Sequence, residues 1–167
     1  MEYSLTDKGV NLLAKINAGN SCFHLSKALS GSGYSILPQS LSDVQEVKQE
    51  IQIIKVLSNE GITMVSLLLS NTEILESYNL RQLGLFAIDD ETQEEILFII
   101  GQDFNGDKVP AATDGIVEYT YNVSLKVSNT ADVVIEANVG DWIIEKADAV
   151  LEKTFYEVFT KMIGSVD

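Results

Sequence analysis

The amino-acid sequence predicts an α+β protein: a mostly antiparallel β-sheet or sandwich of about seven strands with an N-terminal helix and a C-terminal oligomerising helix. Three observations predict it. Short segments alternate apolar and polar residues and are separated by clusters of Gly, Asn, Asp and Ser. One stretch near the start spaces its apolar residues at i, i+3 and i+4 instead. After Gly140 the chain has no Gly or Pro from Trp142 to Ile163, and its apolar residues recur in sevens. These patterns divide the chain into a β-rich domain over 1–140 and a helix over 141–167.

The helical spacing lies in TDKGVNLLAKINA, residues 6–18, where Val10, Leu13 and Ala14 form the apolar stripe with Ile16 to Ala18 close behind, Thr6 or Asp7 offers the N-cap and Gly19 the stop. CFHLSKAL then alternates, with Phe23, Leu25 and Leu29 on one side, and ends in the turn-rich SGSGY. Pro38 with QSLSDVQE predicts an extended approach to one helical turn. In VKQEIQIIKVL the period of two places Val47, Ile51, Ile53 and Leu57 on one face. The compact apolar run ITMVSLLLSN reads as a central strand covered on both faces. LGLFAID and ILFIIGQ read as a hairpin joined through DETQEE, followed by a long polar loop, DFNGDKVPAATDG. EYTYNVSLKVS puts Tyr119, Tyr121, Val123, Leu125 and Val127 on one face, and ADVVIEA is its expected hairpin partner.

In the last segment Ile144, Leu151 and Val158 are seven apart, and Phe155 and Met162 follow the last two by four residues. Asp148 interrupts the stripe; Ile143, Ala147 and Val150 flank it. Two readings stand side by side: a helix packed on its own sheet, and a bundle or coiled coil with further copies of the chain.

Composition bounds the function. A chain of 167 residues with 46% hydrophobic and 22% charged residues is expected to fold as one unit without disulfides or metal. Eleven basic against twenty-five acidic residues give a formal charge of −14, which repels phosphate backbones and anionic head groups, so neither nucleic acid nor a membrane is an expected partner. The lone Cys22 fits a reducing cytosol, and an N-terminus without a basic start or apolar run and no membrane-length apolar stretch give no sign of secretion or membrane insertion. Such a protein leaves the cell by lysis or inside an assembled particle.

Catalytic and ligand-binding patterns are weak. His24, the single histidine, lies two residues from Cys22 in a strand, which is a structural arrangement far more often than a nucleophile and base. The SGSG of Ser30–Gly33 lacks the spacing of a phosphate loop. Asp103, Asn105, Asp107 and Asp114 imitate calcium-loop spacing, but Lys108 holds the glycine's place, Gly106 stands two positions early and Pro110 interrupts the loop. Asp89–Asp90 and Glu94–Glu95 read as a hairpin tip. No enzyme, cofactor or metal is therefore expected. Arg81, among Leu80, Leu83, Leu85 and Phe86, requires either an internal partner or an intersubunit one. Tyr34 and Phe104 are the loop aromatics that an adhesin head or carbohydrate-binding sandwich would use.

The order of these pieces resembles the N-terminal domain of phage tail-collar fibre proteins, also present in fibres of tail-derived bacteriocin particles. LTDKGVNLLAKINAG is similar to that family's opening helix and FHLSKALSGSG to its strand and glycine loop. In LLLSNTEILESYNLRQLGLFAID, the residues Tyr78, Leu80, Arg81, Gly84, Leu85, Phe86 and Ala87 fit the family's central segment. EEILFIIGQDFNGDKVPA and YNVSLKVSNTADVVIEAN complete a resemblance over about residues 5–140. Gln82 departs from it, standing where the family carries an acidic residue after the arginine. The resemblance implies a structural part of a phage tail or contractile injection particle, a homotrimer, docked on tail or baseplate proteins and carrying a fibre or receptor-binding protein. Ile144, Leu151, Phe155, Val158 and Met162 are the expected interface between copies.

Overall fold

A computed structural model describes residues 1–18, 23–59, 62–126 and 135–137. In chain order these form β1 (Glu2–Leu5), α1 (Asp7–Asn17), β2 (Phe23–Gly31), a 3₁₀ turn (Pro38–Ser40), β3 (Val47–Asn59), β4 (Ile62–Ser70), β5 (Tyr78–Asp89), β6 (Glu95–Val109), a second 3₁₀ turn (Ala112–Asp114), β7 (Glu118–Lys126) and β8 (Ile135–Ala137). Seven strands follow one antiparallel path, β1-β6-β5-β2-β3-β4-β7, while β8 pairs in parallel with the start of β2. The predicted α+β class, mostly antiparallel sheet and N-terminal helix, is what the chain adopts. The path is continuous, so the sheet closes over its core by curling into a half-barrel, with residues of β4 and β7 and those of β5 and β6 in one apolar cluster. The predicted C-terminal helix, with Ile144, Leu151, Phe155, Val158 and Met162, lies outside the described residues, as does Cys22.

Helix α1 begins where Thr6 turns extended at φ −76°, ψ 166° and its Oγ1 accepts the Gly9 N–H at 3.0 Å, the N-cap arrangement of a short hydroxyl side chain. Its buried side is Gly9, Leu12 and Ile16, whereas Val10 is 52% exposed and Ala14 also faces outward. The predicted stripe is therefore rotated: burial follows Leu12 and Ile16, four apart and with no polar competitor. Gly9 sets how closely the helix sits, because a Cβ there would lie 2.3 Å from the Phe98 carbonyl oxygen.

The strands show why local pattern and final position differ. β4 alternates buried and exposed residues, with Val65, Leu67 and Leu69 inside, so it is covered on one face rather than two. β3 buries Ile51 and Ile53, but an irregularity between Ile53 and Lys55 switches the phase: Val56 turns to the core and Leu57 is 47% exposed. Val47, the first residue of the same expected face, is 48% exposed. β5 and β6 are the strands buried on both faces. Tyr78, Leu80, Leu83, Leu85 and Ala87 enter the main core, while Phe86, Leu97 and Ile100 lie on the opposite side with Val44. β6 also runs on to Val109, through part of the segment expected to be a loop. β7 pairs with β4 and β8 with β2, so these two do not form the expected hairpin.

Candidate functional site: an acidic-rimmed cleft

The segment after β2 is drawn across the outer side of β5 and β6. Ser32 and Gly33 donate backbone N–H groups to the carbonyls of Glu46 and Gln45, both at 3.2 Å. Val44 then presses against β5 at Gly84, where a Cβ would lie 2.3 Å from Val44 Cγ2 and 2.8 Å from Leu97 Cδ1. That contact explains the glycine in the central motif. Around it Val44, Phe86, Leu97 and Ile100 form a second apolar cluster, flanked by Leu29 and Leu41. Lys27 Nζ sits 4.9 Å above the Phe86 ring.

A glutamine network fixes the same segment. Gln82, fully buried, accepts from the Gln45 backbone N–H at 2.8 Å and donates through Nε2 to Gln102 Oε1 at 2.8 Å. Gln102 in turn accepts from the Ser35 N–H at 2.9 Å and donates to the Ser35 carbonyl at 2.7 Å. The residue that departs from the family pattern thus ties the loop to the sheet.

Next to this network β6 makes a wide excursion. Leu80 is opposite Asp107 and Gln82 opposite Gln102, so residues 103–106 face the single residue Arg81. Asp103 Oδ1 accepts from the N–H groups of Asn105 (2.9 Å) and Gly106 (3.3 Å), and Gly106 takes φ +68°, close against the Leu80 carbonyl. These N–H groups hold the Asp103 carboxyl below the usual range and thus anionic. The excursion carries Phe104 to its tip, 68% exposed, where its ring meets Tyr34 edge-on at 5.3 Å and 89°. Ile36 (89%) and Leu37 (62%) are exposed in the same loop as Tyr34. Tyr34, Ile36 and Phe104 border a cleft of about 590 Å³, walled on its far side by Glu2 and Ser4 of the edge strand β1. No described Lys or Arg lines it; the Met1 amino group lies 3.6 Å from Asp103 Oδ2.

The central motif is divided among three environments. Tyr78, Leu80 and Leu85 are core residues, and the Tyr78 hydroxyl meets Ser30 Oγ at 2.9 Å and Gln49 Nε2 at 2.8 Å. Gly84 and Phe86 support the loop. Arg81 is half-buried behind the excursion, and its buried Nε has no hydrogen-bond partner among the described residues. No described carboxylate pairs with it, which leaves an internal ion-pair clamp without a second member.

The other candidates are separated or consumed. Asp89, Asp90, Glu94 and Glu95 each meet a different side chain: the Lys15 ammonium (2.8 Å), the His24 ring (2.8 Å), the Lys8 ammonium (2.6 Å) and the Lys27 ammonium (2.6 Å). They fasten α1 and β2 to the β5–β6 turn. The Lys27 ammonium is the main cause of a lowered Glu95 pKa, and Ser26 adds to it. The calcium-like spacing is unrolled along β6 and beyond it, and no group of three His, Cys, Asp or Glu among the described residues is placed to hold a metal. Asp107 instead lies beside Tyr121, and burial followed by that carboxylate pushes Tyr3 up to about 12. Sequence reasoning had singled out Tyr34 and Phe104 but missed Ile36 and Leu37, whose signal was the apolar pair in YSILP inside a Ser- and Gly-rich loop. Comparison of the chain with protein-family models, with curated proteins and with solved structures finds no match.

Proposed function

We propose that this chain is a non-enzymatic structural protein, an attachment module that anchors a fibre to the tail or baseplate of a phage or tail-derived contractile particle. The observation that carries the reading is the ordered set Tyr78, Leu80, Arg81, Gly84, Leu85 and Phe86 with its flanking segments, which resembles the tail-collar fibre domain. Two further features support it: a cleft bordered by the exposed Ile36 and Phe104, and heptad spacing over Ile144, Leu151, Phe155, Val158 and Met162. In this reading the chain is a homotrimer whose helices associate, each buried Leu or Phe contributing roughly 1.5 to 3 kcal/mol. Its partners are tail or baseplate proteins and a fibre or receptor-binding chain, and its place is the assembled particle.

Light scattering coupled to size-exclusion chromatography tests this on the full chain, on a form ending at Gly140, and on Leu151→Asp/Phe155→Asp. A trimer that becomes monomeric in both altered forms is the expected result. A monomer throughout would overturn the oligomerising role. The Tyr34–Phe104 pair favours a second reading, a stand-alone adhesin or carbohydrate-binding module, and retention on immobilised neutral glycans would be its mark.

A further inference from the structure

From the cleft beside β1 we infer a docking site for an extended segment of a partner protein that combines aliphatic or aromatic side chains with Lys or Arg. The inference deepens the attachment reading, and rests on it in taking the partner to be a protein.

Two apolar side chains stand open at its border: Ile36 and Phe104 are each more than 60% exposed, on a loop and an excursion fixed by the Gln82, Gln45 and Gln102 network. Exposed apolar surface of this kind, held in place before a partner arrives, costs little ordering on binding. Its charge selects the partner. The rim carries the carboxylates of Glu2 and Asp103 against one amino group, that of Met1, within a chain of net charge −14.

The polar groups argue against a sugar. Gln102 has its amide engaged on Ser35 and Gln82, so it offers no free fork for hydroxyl groups. The edge-on packing of Tyr34 and Phe104 leaves one ring's face occupied by the other's edge, so the pair is not the open platform on which a sugar ring stacks. The wall formed by β1 adds a backbone element, because among the described residues this strand is paired on one side only, with β6. An extended segment laid along its free side would place alternate side chains over the cleft.

The test titrates the full chain with a fluorescent synthetic peptide of alternating Leu and Lys, a matching Leu and Glu peptide, and a neutral glucan oligosaccharide. Saturable binding of the Leu/Lys peptide alone is expected, with amide shifts at Tyr34, Ile36 and Phe104. Ile36→Ser/Phe104→Ser, which changes no charge, should weaken it by about tenfold or more. Glu2→Gln/Asp103→Asn, which keeps the side-chain oxygen that holds the turn, should weaken it severalfold. Equal binding by the Ile36→Ser/Phe104→Ser chain would reduce the attraction to net charge and overturn the site. Absence of Leu/Lys binding would overturn it too, leaving the trimer measurement to judge the attachment reading separately. Oligosaccharide binding at these residues would overturn both the site and the choice of a protein partner.

Discussion

At the scale of single residues, Gln82 controls more of the surface than its position inside a strand suggests. Its amide is fully buried and joins the backbone of Gln45 to the side chain of Gln102, and through Gln102 to Ser35. Gln82→Ala removes the acceptor of the Gln45 N–H and one of the two donors to Gln102 Oε1, which keeps the Ser35 N–H, and leaving a buried polar group without a partner costs roughly 1–3 kcal/mol. We expect a stability loss of about 1–3 kcal/mol in urea unfolding, with faster amide exchange over residues 33–45. Gln82→Glu keeps an acceptor for Gln45 but buries a carboxylate against Gln102 Oε1, so it too is expected to destabilise the fold. An unchanged exchange rate in both variants would show that Val44 in its seat at Gly84 holds the loop unaided. Nothing in the sequence marks this network, because Gln45 and Gln82 are 37 positions apart and Gln82 and Gln102 are 20 apart. Gly84 was legible as a motif residue, but its reason, the closeness of Val44, required the fold.

Among the elements, α1 and the β5–β6 hairpin were the most legible, and their junction shows how the fold is assembled. Thr6 was readable as a cap because a hydroxyl two to three residues before an apolar stripe accepts the helix's first free N–H groups. Its second role was not readable: Thr6 Oγ1 also donates to the Leu97 carbonyl, and the Thr6 N–H bonds the Phe98 carbonyl at 3.1 Å, where β6 shifts register. One side chain therefore starts a helix and docks it. Thr6→Val keeps the shape and removes both bonds; loss of the cap at roughly 0.5–2 kcal/mol and of a buried carbonyl's partner at roughly 1–3 kcal/mol predicts a total of about 2–4 kcal/mol. Thr6→Ser should stay within about 1 kcal/mol of the parent, losing one methyl group. Thermal unfolding of the two variants checks the difference, and equal midpoints would remove Thr6 from this junction. Errors in the strand reading share a cause of the same kind. The phase switch in β3 arises in its pairing with β4, the run-on of β6 in its pairing with β5, and the parallel seat of β8 in its pairing with the distant β2, none of which alternation within one segment encodes.

For the whole molecule, charge and apolar burial oppose each other, and salt separates them. The chain carries 25 acidic and 11 basic residues, and its exposed ion pairs, such as Lys8–Glu94 at 2.6 Å, each contribute only about 0–1 kcal/mol. Like-charge repulsion spread over the surface outweighs those few pairs, so screening should stabilise the fold rather than weaken it. We expect the thermal midpoint to rise by a few degrees as NaCl goes from about 0.02 M to about 0.5 M, over which the Debye length falls from roughly 20 Å to roughly 4 Å. The same reasoning distinguishes two kinds of association. Bringing three copies of charge −14 together through the apolar positions Leu151, Phe155 and Val158 is opposed by repulsion and strengthened by salt. Docking of a basic segment on the Glu2–Asp103 rim is weakened by salt, though its apolar contacts with Ile36 and Phe104 persist. Sedimentation of the full chain and peptide titration at both salt concentrations should therefore respond in opposite directions. A trimer that dissociates as salt rises would mean that ion pairs, and not the heptad stripe, hold the copies together.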